Sequence, residues 1–239
     1  ELRPQELSGV NIHTAPTDSA DADDVNELLE VVSEGENDET TVALGDRVIM
    51  ETQVTGVFGT IEDADSLGDS PATITIRQLD ETPNRDPITF NVSDVQDSSV
   101  VNVLPSQDTG QLFVVMDLRE VDAVAGQQNV GEIRADQEFR AEISFEDSVY
   151  YDDDESANQT FITEEREVTF DTDGNSDMQN VTNTASETIT GSTTIAANSE
   201  FRIRVGSAEG TSPSFVKTQS VEVAPDGTFS GEFDFSGQS

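Results

Sequence analysis

Residues 71–79 read PATITIRQL, an alternation of apolar and polar side chains that predicts a strand with one buried face. Ala72, Ile74 and Ile76 fall on one side of an extended chain, and the threonines and arginine between them fall on the other. The same period of two recurs in TVALGDRVIMETQV (41–54), DPITFNVS (86–93), QLFVVMDL (111–118), QEFRAEISF (137–145) and NQTFITEEREVTF (158–170). Clusters of Gly, Pro, Asn and Asp separate these stretches, which predicts a β-sandwich over residues 41–170.

One of these stretches differs from the rest, because QLFVVMDL (111–118) is almost continuously apolar. A strand without a polar face is typical of a position covered on both sides. We therefore expect it to be a central strand.

Residues 1–40 are polar apart from one amphipathic segment. In that segment Val25, Leu28, Leu29 and Val32 recur at the i, i+3, i+4, i+7 spacing of a helix. Aspartates precede it, where a helix N-terminus favours negative charge. The sequence therefore predicts an N-terminal arm containing one short helix that packs on the rest of the protein.

A polar linker is predicted at residues 171–185, followed by a second β-module at residues 186–239. Its strand candidates are ETITG (187–191), SEFRIRVG (199–206), SFVKTQSVEVA (214–224) and GTFSGEFDF (227–235). The turn residues Pro225-Asp226-Gly227 predict a hairpin between the last two, with Phe229, Phe233 and Phe235 on one face.

The second module is short for its class, since an Ig-like sandwich takes about seven strands and about 100 residues. We expect it to be incomplete. A parent chain that continues beyond Ser239 is favoured over completion by a neighbouring subunit.

The charge composition is extreme. The sequence has 50 acidic and 11 basic side chains, which gives a net charge of −39 over 239 residues. Such a chain would repel itself in dilute buffer, but the Debye length shrinks to about 3 Å in molar salt. Together with the clustered, strand-periodic apolar residues, this favours a folded protein adapted to brine over a disordered one. A chain this acidic is a poor binder of nucleic acid and of anionic lipid.

The sequence contains no cysteine, so disulfides, thiolate metal sites and thiol nucleophiles are excluded. No apolar run approaches the roughly 18 residues of a spanning helix, and the first residues, ELRPQELSGV, do not form a signal peptide. We expect a mature or excised segment that does not itself insert into a membrane.

Three stretches resemble the surface domains of haloarchaeal exported glycoproteins: ALGDRVIMETQVTGVFGTIE (43–62), GSTTIAANSEFRIRV (191–205) and SFVKTQSVEVAPDGTFSGEFDFS (214–236). The resemblance implies an exported, N-glycosylated protein of the cell surface or S-layer, built from serial Ig-like β-sandwich domains and tethered by a C-terminal anchor. The Thr-rich stalk and the anchor helix of that family are absent from these residues.

Three N-x-[ST] triplets are candidate N-glycosylation sites, at Asn91, Asn158 and Asn180. Asn158 and Asn180 fall in predicted loops, where a transferase can reach them. Asn91 instead ends a predicted strand, so it is the weakest candidate of the three.

Two acidic clusters are candidate sites for calcium or magnesium, which prefer oxygen ligands. In the first, Asp171, Asp173, Asn175 and Asp177 alternate within DTDGNSD. The glycine and glutamate spacing of an EF-hand is missing there, so a solvated linker is the competing interpretation.

The second cluster consists of Glu62, Asp63, Asp65 and Asp69. By contrast, the acidic residues of YYDDDESANQT (150–160) are consecutive, so in an extended segment they point to opposite sides and cannot share one ion. We expect a solvated loop there, with Tyr150 and Tyr151 at its entrance.

Catalysis has little support in this sequence. A Ser-His-Asp triad would have to use His13, in the predicted arm. There is no tryptophan to stack on a sugar and no glycine-rich phosphate loop after a strand. We predict that the protein is not an enzyme and needs no cofactor beyond a structural cation.

The leading functional hypothesis is a structural, extracellular surface-layer or filament segment of a halophilic archaeon. Its expected partners are neighbouring copies, other surface proteins and N-linked glycan. An adhesin or ligand-binding ectodomain, and a virion surface protein of a halophilic host, are the alternatives. An exported hydrolase ranks below them.

Overall fold

The computed structural model describes residues 7–18, 25–32, 40–55, 57–80, 86–95, 97–121, 123–125, 128–131, 133–145, 154–172, 184–207 and 214–237. The chain divides into two compact units, Glu1–Glu165 and Arg166–Ser239. The division lies a few residues before the predicted end of the first domain at residue 170. The predicted strand NQTFITEEREVTF is therefore two strands, one in each unit.

The first unit is a sandwich-type arrangement of two sheets. Its elements are β1 (Leu7–Ala15), α1 (Val25–Val31), β2 (Thr40–Ala43), β3 (Arg47–Val54), α2 (Ala64–Leu67), β4 (Ala72–Gln78), β5 (Ile88–Asn91), a 3-10 turn (Val92–Asp94), β6 (Val101–Ser106), β7 (Gln111–Met116), β8 (Ala123–Ala125), β9 (Gln128–Gly131), β10 (Gln137–Phe145) and β11 (Glu155–Glu164). The sheets have the orders β1-β3-β7-β6 and β2-β11-β10-β4-β5-β8-β9. All pairs are antiparallel except β2 with β11.

The prediction of a central strand at QLFVVMDL is confirmed, because β7 lies between β3 and β6 and is buried on both faces. Val114 joins the core that residues of both sheets share, including Phe139 of β10. Phe113 and Val115 point the other way and form a second cluster with Leu28 of α1. The predicted short helix is thus present and covers the outer face of the smaller sheet.

The N-terminal arm is only partly as predicted, since residues 7–15 form β1 and pair with β3 along its whole length. Sequence periodicity missed this strand because a bulge between Ser8 and Val10 interrupts the alternation. Gly9 supplies the positive φ of 62° that the bulge needs.

A buried ion pair and its neighbouring hydrogen bonds join four parts of the first unit. Arg47 Nη1 lies 2.9 Å from Asp117 Oδ2, and both side chains are more than nine-tenths buried. The Arg47 guanidinium also donates to the carbonyl oxygens of Thr17 and Ser99. These bonds join the start of β3 to the end of β7 and to two connections.

The second unit is a smaller pair of sheets around its own core. Its strands are β12 (Val168–Phe170), β13 (Glu187–Thr193), β14 (Glu200–Gly206), β15 (Val216–Glu222) and β16 (Thr228–Phe233), in sheets of order β12-β13-β16 and β14-β15. Ile189, Ile203, Val221, Phe229, Phe233 and Phe235 form its buried core. The all-β, sandwich-type fold class predicted from the sequence is therefore confirmed.

The predicted hairpin between the last two strands is wrong, although its turn is present. Gly227 has a φ of 74° and donates its N–H to Ala224 O. Beyond the turn, however, β15 pairs with β14 and β16 pairs with β13. The turn connects two facing sheets because apolar residues on both sides of it enter the same core.

Gly191 is needed where two aromatic rings from the neighbouring strands meet across β13. It pairs with Phe170 on one side and Phe229 on the other, and those rings meet edge to face at 5.6 Å. A Cβ at this position would lie 2.4 Å from Phe229 Cζ and 2.2 Å from Thr169 O. Only glycine allows this approach.

Candidate glycosylation and cation sites

The outward face of the seven-stranded sheet carries mostly small polar side chains. On β10, Phe139, Ala141, Ile143 and Phe145 are buried, and the residues between them are at least partly exposed. The neighbouring β4 and β11 repeat this alternation in register. The face opposite the core is thus a broad surface of Ser, Thr, Asn and a few charges.

Asn158 lies exposed on this outward face, in the middle of β11 and opposite Glu142 of β10. The prediction that it lies in a loop is wrong, because its triplet forms part of the ladder between β11 and β10. The start of β11 is hard to recognise in YYDDDESANQT (150–160), because the apolar residues on its inner face are only Ala157 and then Phe161. Exposure on a face, and not a loop, makes Asn158 accessible.

Asn91 ends β5, as predicted, and its side chain is already used in two hydrogen bonds. Thr75 Oγ1 donates to Asn91 Oδ1 at 3.0 Å. Asn91 Nδ2 donates to Asp94 Oδ2 at 3.1 Å. The amide nitrogen that a glycan would modify is therefore engaged in folding the 3-10 turn.

The two asparagines share one row across the sheet. Asn158 pairs with Glu142, Glu142 with Thr75, and Thr75 with Asn91. Three strand spacings separate them, which is roughly 14 Å. Asn180, the third candidate, lies outside the described residues and stays a prediction.

Next to this row lies an arginine pair that the sequence reasoning did not single out. Arg140 and Arg77 are directly opposite each other on β10 and β4, and both are exposed. Neither forms an ion pair with a described residue. The alternation in RQL and EFRAE shows that both point outward, but only the strand register shows that they are neighbours.

The predicted cation cluster of Glu62, Asp63, Asp65 and Asp69 surrounds the short helix α2. Asp63 Oδ1 accepts a hydrogen bond from the backbone N–H of Ser66 at 2.9 Å, and Ser66 Oγ accepts from the N–H of Asp63 at 3.0 Å. Such reciprocal bonds cap a helix N-terminus. Glu62 donates its N–H to the same hydroxyl, and Asp69 donates its N–H to Ser66 O.

The predicted cluster within DTDGNSD is described only at Asp171, because Asp173, Asn175 and Asp177 lie outside the described residues. Asp171 Oδ2 accepts a hydrogen bond from Thr190 Oγ1 at 2.6 Å. Within the described part of the chain, no three His, Cys, Asp or Glu side chains converge to hold a metal ion. Both cation sites stay predictions.

Tyr150, Tyr151, Asp152 and Asp153 also lie outside the described residues. Asp154 is exposed, and Glu155 begins β11.

Three exposed aspartates have pKa values below their ordinary value of 3.8 because a nearby hydroxyl donates to the carboxylate. The donors are Ser99 for Asp97, Thr228 for Asp226 and Ser236 for Asp234, followed by the backbone N–H of the same residue in each case. These bonds close tight turns.

His13 lies on β1, with its Nε2 2.7 Å from Glu51 Oε2. Gln111 donates to the other carboxylate oxygen of Glu51 at 2.6 Å. The remaining ring nitrogen of His13 has no hydrogen-bond partner among the described residues. The histidine thus belongs to a polar cluster on the four-stranded sheet and not to an irregular arm.

Comparison with known proteins gives a consistent result. A cell surface glycoprotein of Haloferax gibbonsii is 32% identical over 247 residues, which cover 99% of this chain. Cell surface glycoproteins 1 and 2 of Haloarcula hispanica are 30% and 28% identical, each over 98% of this chain. The chain is similar to haloarchaeal cell surface glycoproteins. This confirms the resemblance inferred from its sequence motifs.

The chain spans only 28% of the length of each of these haloarchaeal surface glycoproteins. No protein-family model matches it. Among the described residues, no helix has both the length and the apolar character needed to cross a membrane.

Proposed function

We propose that the chain is an extracellular segment of a haloarchaeal cell surface glycoprotein, with a structural role in a surface layer or filament. The observation that carries this proposal is the similarity over nearly the whole chain to three proteins named as cell surface glycoproteins. The net charge of −39 supports it, since dense carboxylates keep a surface hydrated in concentrated salt.

The distribution of side chains supports a structural role over a catalytic one. Two of the buried charges of the first unit, Arg47 and Asp117, bind each other, and Arg47 also donates to two backbone carbonyls. Other ionisable side chains have structural contacts: Asp63 caps a helix, Asp97 closes a turn, and Glu51 joins two strands through His13. In this role the two sandwiches are rigid spacers, and N-linked glycan on the outward face of the seven-stranded sheet adds a hydrated layer.

Asn158 is the acceptor that this proposal favours. Asn158 is exposed, whereas the side-chain amide of Asn91 is held by two hydrogen bonds, one from Thr75 and one to Asp94. Asn180 is a second acceptor in the proposal. Divalent cations that bridge acidic faces of neighbouring molecules belong to the same proposal.

The location is tested by treating intact cells in their growth brine with a membrane-impermeant protease. Peptides of this chain should be released from the cells, while peptides of a cytoplasmic enzyme measured in the same digest should stay inside. Release of neither set from cells whose other surface proteins are cleaved would contradict an extracellular location.

A further inference from the structure

The second unit exposes several large apolar side chains. Among the described residues, the large apolar side chains that are exposed are Leu29, Val168, Phe170 and Val216, and three of these lie in the second unit. Val168 and Phe170 are 40% and 41% exposed, and both belong to β12. In the described residues β12 pairs only with β13, so its other edge has no strand partner among them.

A second open edge belongs to β14, which pairs only with β15 in the described residues. Arg202 and Arg204 lie two residues apart on the outward face of this strand, both exposed and opposite Ser220 and Thr218. Neither arginine forms an ion pair with a described residue. The outward face of β14 thus carries these two arginines next to one exposed glutamate, Glu200.

The two faces of β14 differ sharply. Its inner face carries Phe201, Ile203 and Val205, which pack on the core of the second unit. A strand added beside β14 would therefore meet apolar side chains on one face and arginines on the other, because side chains alternate along a strand.

The edge of β12 has the complementary pattern. Val168 and Phe170 alternate with Glu167, Thr169 and Asp171, all of which are exposed. Thr190 donates to one oxygen of Asp171, and Glu167 falls on the same face because side chains alternate along a strand. One side of this strand is apolar and the other is acidic.

We propose that β12 of one molecule adds to the open edge of β14 in a second copy of this chain. The pairing aligns Val168 and Phe170 with the apolar face of β14, and it brings Glu167 opposite an arginine. Addition of a strand to an open edge supplies backbone hydrogen bonds, and alternate side chains give the specificity. Because the two edges differ, the contact is head to tail and propagates into a chain of molecules.

Molar salt suits this contact. Two molecules that each carry a charge of −39 repel each other strongly in dilute buffer, whereas salt screens that long-range repulsion to about 3 Å. Direct guanidinium–carboxylate contacts persist at that range, and the weakly hydrated guanidinium is suited to them. The inference rests on the proposed assembly role, for which it names the surface and the partner.

The test is sedimentation velocity of the chain in molar KCl over a concentration series, with four proteins. These are the natural chain, R202E/R204E, E167R, and the control R77E/R140E, which makes the same charge change on interior strands. Hydrogen exchange checks that each variant is folded. The natural chain and the control should associate equally, whereas R202E/R204E should associate about ten- to a hundredfold more weakly.

A charge-swapped mixture provides the positive test. E167R should lose self-association as R202E/R204E does, and the two variants mixed together should associate again. A natural chain that stays monomeric up to its solubility limit would overturn the proposal. That result is expected if the arginines only protect the edge of β14 from pairing. Equal weakening by the control, or a mixture that stays monomeric, would also overturn it. None of these results would affect release of the chain by protease from intact cells, so failure here is distinct from failure of the proposed location.

Discussion

The two units differ in the size of their sheets and in how completely they bury their apolar side chains. The first joins sheets of four and seven strands, covers its central strand β7 on both faces, and buries an arginine with its aspartate. The second has sheets of three and two strands and leaves Val168 and Phe170 about two-fifths exposed. The first unit therefore buries its central strand more completely than the second unit buries β12, which is the difference that the proposed strand addition uses.

The largest effect should come from breaking the buried ion pair of the first unit. Asp117→Ala leaves the Arg47 guanidinium buried without its carboxylate, which costs about 3–5 kcal/mol of unfolding free energy. Hydrogen exchange followed by mass spectrometry, in molar KCl, should show the loss in peptides of the first unit.

Asp108→Ala is the matched control, because Asp108 is an exposed aspartate in the same unit. Its effect should be within about 0.5 kcal/mol of zero. A similar loss of stability in both variants would show that general charge, and not the buried pair, stabilises this unit.

The second largest effect should fall on the second unit. In Gly191→Ala the new methyl group meets Thr169 O and Phe229, so the strands must shift at a cost of about 1–3 kcal/mol. Denaturant unfolding should show the change. Gly206→Ala provides the control, since nothing lies within 4 Å of its Cβ position.

Equal stability of the Gly191→Ala and Gly206→Ala proteins would mean that the close approach of Phe170 and Phe229 over β13 is not needed. It would also mean that the core of the second unit tolerates changes in side-chain volume that a tightly packed core does not.

The smallest effect concerns pH. The hydrogen bonds from Thr228 lower the pKa of Asp226 below 3.8, so the ionised form is favoured in the folded state. The stability from this bond is present above the unfolded pKa and is lost as the pH falls through the folded one. Urea unfolding in molar KCl should therefore become easier on acidification, since salt screens the opposing relief of carboxylate repulsion.

Asp226→Asn removes this titration and should give a flatter dependence of unfolding free energy on pH than the natural chain has. Asp69→Asn, an exposed carboxylate of the first unit, should leave the slope of the second unit unchanged. A steeper slope in the Asp226→Asn protein would contradict the assigned sign.

Sequence periodicity located several of the strands but missed β6 (Val101–Ser106), which was not among the predicted stretches. The bounds of β10 match the stretch QEFRAEISF, and the apolar run at β7 correctly indicated burial on both faces. It failed at β1, where a bulge at Gly9 breaks the period, and at the Asp226 turn, where local residues cannot specify which strands pair. Pairing depends on the shared core, which is a long-range property.

The candidate sites followed the same rule. The N-x-[ST] triplets were found from the sequence, but the exposure of Asn158 and the engagement of Asn91 depend on strand register. The pairing of Arg77 with Arg140 was missed because the two residues are neighbours across the sheet but lie 63 positions apart in the sequence. Composition predicted an acidic surface protein, whereas topology was needed to find where its few positive charges gather.

The most direct test of the surface glycoprotein account is glycopeptide mapping of the natively produced protein by mass spectrometry. The account predicts glycan on Asn158 and an unmodified Asn91, because only the first is exposed and free of the two amide hydrogen bonds that hold the second. An unmodified Asn158 in the native protein would contradict the account.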